Sequence, residues 1–376
     1  MTAPLPGSAT TDSGRRVRVS RRNLLRVMPV LGVAGCVAGH DVAAPPGRRV
    51  AADGVELRAV RSLWSKALPY LVLSTFDLPD GRHRVRTVLT DVRHAVLGLT
   101  ASKKTIIDSD WYLGRGLTVQ IGIGAPLLRR LGMPVPDSLR ELPSGPRDRM
   151  YRSQTGGSLM VAVTATDQAT AVATWRAIAK AGGPGLRTRW FQTGYQPQRA
   201  PGRRNIRNLL GMYDGIANPR IAPHPRNRVV EVRDSDHPWL QSGTYVVIRK
   251  IRIDLERWNS LLLERREETI GRRMSDGDLL HPDEGAGQEL LSHVAVAKKA
   301  AGGTRMLRRG YSFFERTDRD PVGGLIFMAY AGDVGRQIEP TLVDMIHRDA
   351  LTPFLSHVGS EVFAIPQDVA SFTENI

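Results

Sequence analysis

The chain has a single cysteine, Cys36, in 376 residues. No disulfide can form within it, so its fold must be held by packing and by whatever it binds. Long apolar runs are also missing. The one near the N-terminus, starting at Val27, is far shorter than the ~20 residues a membrane-spanning helix needs, and it holds Pro29. Aromatic residues make up 6% of the chain and are not interleaved with basic ones in a tract that could stack on bases. That absence decides how the formal net charge of +16 is read. Six Arg and one Asp fall in residues 1–35, so five of those charges belong to a leader, and the rest are scattered. Without a nucleic-acid motif or a long basic tract the charge reads as a solvated surface, and no nucleic-acid partner is expected. Such a surface steers anionic substrates or membranes toward the protein, less so as salt rises.

What is present begins with paired Arg21 and Arg22 ahead of a short, weakly apolar stretch ending in small residues. This pattern is a twin-arginine export signal. Cys36 closes the string Val33-Ala34-Gly35-Cys36, which resembles a bacterial lipoprotein cleavage box. The expectation is a signal over residues 1–36 and an Ala/Gly/Pro/Arg-rich linker over 37–60. The protein would then sit in the cell envelope, anchored to the membrane through lipidated Cys36, or else be secreted.

The remainder divides into halves, 61–205 and 206–376, with the same order of patterns. In the first, strand-like residues 69–77 precede a helical stretch over 85–99. Strands at 116–124 and 157–165 follow, then a helix capped by Asp167 and a last strand, LRTRWFQT. This βαββαβ order is a ferredoxin-like unit. The second half repeats it: a strand over 243–253, one helix from Asp254 to Ile270, strands MLRRGYSFF and GGLIFMAYA, a helix over 336–355, and the strand EVFAIP. An insertion of about forty residues, 271–305, interrupts this unit, and an excursion of that length is more often functional than structural.

Two segments carry chemistry. RNLLGMYDGIANPR, residues 207–220, places Asp214 between Gly211 and Gly215, which permit positive φ and close approach of the backbone to a ligand. LLSHVAVAKKAAGGTRMLRRGYSFF, residues 290–314, brings His293 into the insertion, followed by an arginine-rich strand. The first resembles the GxxDG segment of the dye-decolorizing peroxidases, a family of haem enzymes; the second resembles that family's histidine segment and LRRGYSF strand. Similarity continues through GLTVQIGIG, TGGSLMVAV, RTRWFQTGY, GGLIFMAYAGD and HVGSEVFAIP, over roughly residues 68 to 366.

The resemblance implies an α+β fold of two tandem ferredoxin-like halves, of the dimeric α+β barrel type, with one haem b per chain in the C-terminal half. By the same match His293 is the axial iron ligand, Asp214 the acid and Arg308 the arginine of the opposite face, with Arg308 also contacting the cofactor. Asn218 matches the motif asparagine, as a cofactor contact or as the residue that holds the loop. Haem iron needs an axial base, and imidazole is the commonest. The other ring nitrogen should meet a carboxylate, for which Asp344 and Asp349 are candidates. His347 and His357, on or near the last helix, read as packing residues. Arg220, Arg249 and Arg273 are positioned as partners for haem carboxylates. The implied activity is peroxidase turnover with hydrogen peroxide and an organic dye, phenolic or metal donor. The alternatives are an exported, deferrochelatase-like lipoprotein that releases iron from haem, or one that delivers haem without turnover, with iron-uptake components as partners and oligomer formation open. Tyr213 in GMYDGI, Ser158 in GGSL and the run LLLERREETIGRRM depart from the family pattern and put the access channel and substrate choice in question.

Overall fold

A computed structural model describes residues 62–63, 67–101, 116–197, 205–219, 229–233, 235–281, 291–300, 306–317 and 320–376. The expected export signal, Cys36, the linker and Arg220 lie outside the described residues. All described residues belong to one compact unit, Asp53–Ile376.

Eight strands close a barrel. Four come from the first half: β1 (Tyr70–Asp77), β2 (Leu117–Gly124), β3 (Leu159–Ala165) and β4 (Arg187–Tyr195). A short antiparallel pair, β5 (Ile206–Arg207) and β6 (Tyr213–Asp214), stands apart from the barrel. The second half contributes β7 (Thr244–Ile253), β8 (Leu307–Arg316), β9 (Pro321–Ala331) and β10 (Leu355–Ile365). Around the barrel the first half reads β4-β1-β3-β2 and the second β10-β7-β9-β8, so equivalent strands take equivalent places. The expected repeat of ferredoxin-like units is thus the architecture.

Most barrel strands bury both faces, which is why they read as near-continuous apolar runs; β4 is the exception, alternating buried Trp190 and Gln192 with exposed Phe191 and Tyr195. Leu73, Met160, Ile248, Phe313, Met328 and Phe363 fill the lumen. Their outward neighbours, including Val72, Phe76, Val161 and Val163, pack against Val85, Leu89 and Ile178 of the helices Arg82–Ala101 and Gln168–Gly182. Each fully buried side chain of this size contributes about 1.5–3 kcal/mol. Asp167 caps the second helix as expected, its Oδ1 accepting the Thr170 amide at 2.8 Å.

The halves join at two thin seams. β2 meets β10 through Gly124 opposite Phe363, and β4 meets β8 through Tyr195 opposite Ser312. Glycine is required there: a Cβ on Gly122 would lie 2.7 Å from that of Phe363, and one on Gly194 would lie 2.8 Å from that of Tyr311.

Two helices differ from expectation. The helix read as continuous from Asp254 to Ile270 is two, Leu255–Asn259 and Leu263–Ile270, broken where Leu262 turns outward at 73% exposure. The stretch over 336–355 holds only Glu339–Arg348 as a longer helix. Pro340, lacking an amide proton, opens it, and Thr352–Phe354 forms a separate 3-10 turn. His357 lies on β10 rather than beside a helix, with Nδ1 2.6 Å from Asp148 Oδ1.

Candidate active site

The segment that carries His293 is tied to the end of helix Glu339–Arg348. Leu291 donates its amide to Arg348 O at 2.8 Å, and the Ala350 amide returns to Leu291 O at 3.0 Å. Ser292 then starts the helix His293–Ala300, its Oγ accepting the Ala295 amide at 3.3 Å. Two residues beyond that tie, His293 Nδ1 meets Asp349 Oδ2 at 2.7 Å. Asp349 is 2% exposed, and its other oxygen accepts the Leu351 amide at 2.8 Å. Of the two candidate carboxylates, Asp349 is therefore the partner and Asp344 is not.

Burial opposes a charge on His293, but the charge and hydrogen bond of Asp349 outweigh it and raise the imidazole above its ordinary pKa. Arg308 and Asp214 are near enough to act on the same ring, the first lowering and the second raising it. With Nδ1 engaged and a third of the side chain exposed, at 34%, Nε2 is the atom free to coordinate a metal. Among the described residues no cluster of three or more His, Cys, Asp or Glu could hold a metal ion. Iron bound here would need its other ligands from a cofactor.

The acid side is built by turns. Asn208 Oδ1 accepts the amides of Leu210 and Met212, at 3.0 and 3.2 Å, folding the chain back so that β5 and β6 pair. Gly211 and Gly215 take φ of +80° and +76°, which a side chain would strain. The Gly215 amide donates to Asp214 Oδ1 at 2.6 Å. The other carboxylate oxygen lies over β8: a Cβ on Gly310 would come within 3.2 Å of Asp214 Oδ2. Since Leu307, Tyr311 and Phe313 point into the lumen, Arg308 and Gly310 share the outer face, and the missing side chain at 310 makes room for the acid beside the arginine. Leu325 and Phe327, half-buried on the same face of β9, supply an apolar floor.

Asn218 does something more specific than a turn requires. Its Nδ2 donates to Arg308 O at 2.8 Å, and its Oδ1 accepts the Arg308 amide at 3.0 Å. The site thus brings together His293, Asp214, Arg308 and Asn218 from three separate stretches of chain. Neither Arg249, which shares the outer face of the sheet with Phe327, nor Arg273 is free to reach a ligand. Arg249 is 1% exposed and donates to Pro143 O at 2.6 Å, while Arg273 is paired with Asp276 and Asp278 at 3.1 Å each.

Two participants were not singled out from sequence. Gly310 lay inside the LRRGYSF string, but nothing local marks a glycine as space for a distant carboxylate. Arg272 gives no sequence signal at all. It sits on a small hairpin closed by Arg272 opposite Leu279, where burial first and the charge of Arg308 second hold its pKa down. Its Nη1 donates to Gly277 O at 2.8 Å, and it sets a second guanidinium group near Arg308.

An α+β barrel of two ferredoxin-like halves, with a carboxylate-bound imidazole facing an aspartate and an arginine across its C-terminal sheet, defines a class of two-domain barrel proteins. Family models for the N-terminal and C-terminal parts of Dyp-type peroxidases match residues 64–196 and 205–370. The chain belongs to the Dyp-type peroxidase family. It is 33% identical to a dye-decolorizing peroxidase of Thermobifida fusca (strain YX) over 68% of this chain and 65% of the relative. It is 28% identical to a deferrochelatase of Yersinia pseudotuberculosis over 66% of this chain and 63% of the relative. The matches thus span just under two thirds of these relatives' lengths. Among solved structures, the oxyferrous complex of DtpA from Streptomyces lividans superposes with a TM-score of 0.72 at 29% identity, covering 81% of this chain and 90% of that one. A DyP-type peroxidase from Cellulomonas bogoriensis gives 0.72 at 28%, covering 80% and 90%.

Proposed function

We propose that this protein is a haem peroxidase that reduces hydrogen peroxide at the expense of an organic or metal donor. The observation that carries the reading is the flanking of one sheet face by the His293–Asp349 pair and by Asp214 with Arg308. The residues fit haem b. His293 offers an unbonded Nε2, Leu325 and Phe327 offer apolar surface, and Arg272 with Arg308 offers positive charge for carboxylates.

When bound, the haem supplies the two electrons that reduce peroxide and regains them singly from the donor. The chain's own part is proton and charge handling. Asp214 takes the proton from the peroxide oxygen that binds and returns it to the oxygen that leaves, so that the latter departs as water. Arg308, through its guanidinium, stabilises the negative charge that develops on the leaving oxygen. Asp349 holds the His293 ring in one orientation and increases its basicity.

The deferrochelatase relatives favour a second reading, in which the same pocket holds haem while its iron is removed. The twin-arginine pattern and Cys36 further support an exported, lipid-anchored protein that works beside iron-uptake components. The test is an optical titration of the protein reconstituted with haem. Wild type should bind one haem and show a spectral change with stoichiometric peroxide that a donor reverses, and His293→Ala should lose stoichiometric binding. Bound haem that is inert to peroxide, together with free iron and intact porphyrin after incubation with excess haem, would decide for iron release. Unaltered haem content and spectrum in His293→Ala would remove that residue as the ligand.

A further inference from the structure

We propose that Asn218 is a positioning residue that sets the distance between Asp214 and Arg308 by acting as a one-residue strand partner for Arg308. The inference rests on the peroxidase reading of this site. β8 is bonded to β9 along its whole length, but on its other edge β4 reaches it only at Ser312. Among the described residues, the peptide groups of Arg308 and Gly310 that face this edge have no strand to meet. Two side-chain amides take its place: Asn218 binds both the N–H and the C=O of Arg308, and Gln196 Nε2 donates to Gly310 O at 3.0 Å.

Only asparagine or glutamine can donate and accept in this paired way, as a peptide group does. The consequence is geometric. Asn218 lies four residues past Asp214, in the turn that Gly215 begins; Gly215 O accepts the Asn218 amide at 3.2 Å. Each end of the Asn218 side chain therefore joins the turn that carries the acid to the backbone of the arginine. Removing the clamp leaves partly buried peptide groups without their partner and lets the two groups drift, and a misplacement of about 1 Å at a reacting centre can cost ~10²-fold in rate.

The test compares haem-loaded wild type, Asn218→Ala, Arg308→Leu and the double variant. Expected for Asn218→Ala is full haem content and a 10- to 100-fold slower reaction with peroxide, with weaker cyanide binding and faster hydrogen exchange at the Arg308 amide. In the Arg308→Leu background the same substitution should add little, because it acts through that residue. Wild-type peroxide rate and cyanide affinity in Asn218→Ala would overturn the proposal, as would strictly multiplicative losses in the double variant. Loss of haem with an unchanged rate per bound haem would also overturn it, making Asn218 a cofactor contact instead. If Arg308→Leu alone reacts at the wild-type rate, the peroxidase assignment of Arg308 fails, whereas exchange at the Arg308 amide judges the clamp by itself.

Discussion

His293 Nδ1 and Asp349 Oδ2 meet at 2.7 Å although 56 positions of sequence separate them. The backbone tie between Leu291 and the residues flanking Asp349 makes this pairing rigid, so it is set before any cofactor arrives.

Replacing the acid should change the ligand without removing it. In Asp349→Asn the ring keeps an acceptor but loses a full negative charge, so the imidazole becomes a weaker base. The ferric/ferrous potential of the haem-loaded protein should rise and haem affinity should fall by about 10- to 100-fold. A potentiometric titration matching wild type would show that Asp349 only orients the ring.

Asp214 and Arg308 should separate by pH. A positioned proton shuttle contributes ~10²–10⁴-fold and a preorganised charge ~10²–10³-fold, so size alone does not distinguish them. Of the two residue types only a carboxylate changes charge in the acid range. Asp214→Asn should therefore lose most peroxide reactivity and flatten the acid limb of the profile, while Arg308→Leu lowers the whole profile. Both should keep their haem. Stopped-flow rates for Asp214→Asn that equal wild type at every pH would end its assignment as the shuttle.

Glu361 offers a stability prediction away from the site. It lies on β10, pointing toward the lumen beside Phe363, and burial pushes its carboxyl up to about 7, against the pull of the Val362 amide and of Arg189 and Arg129. An unfolded glutamate loses its proton near ~4.3. Between those values the folded chain binds more protons than the unfolded one, so this group's contribution falls as pH rises and levels off above about 7. Glu361→Gln should be the more stable form at pH 8, by up to about 3 kcal/mol, with the gain vanishing near pH 4. Urea melts giving the same difference at both pH values would show that burial does not govern this carboxyl.

Anchoring is tested at the N-terminus. If Cys36 is lipidated, wild type should sediment with membranes and Cys36→Ser should be released or left unprocessed. Wild type found free in the medium and cleaved at another residue would exclude the anchor.

Much of the fold was legible because most of the barrel strands, β4 excepted, are buried on both faces and leave long apolar runs, and capped helices such as Gln168–Gly182 announce their ends. The break at Ser260–Leu262 was not, since no proline or glycine marks it, whereas Pro340 is a local helix-start signal that the reading of one helix over 336–355 ran through. Asp214, Arg308 and His293 stood out because their chemistry needs particular residue types in strings short enough to read.

The sequence by itself determined the repeated βαββαβ order, the absence of any disulfide, and which side chains could serve an iron site. Tertiary structure alone decided that Asp349 rather than Asp344 meets the imidazole, that Gly310 clears space for Asp214, that Arg249 is sealed away while Arg272 is brought near Arg308, and that Asn218 completes the edge of β8. The reason is physical: periodicity and turn chemistry act over a few residues, whereas these relationships join segments tens of residues apart. They exist only once barrel closure has set which strand edges stay open.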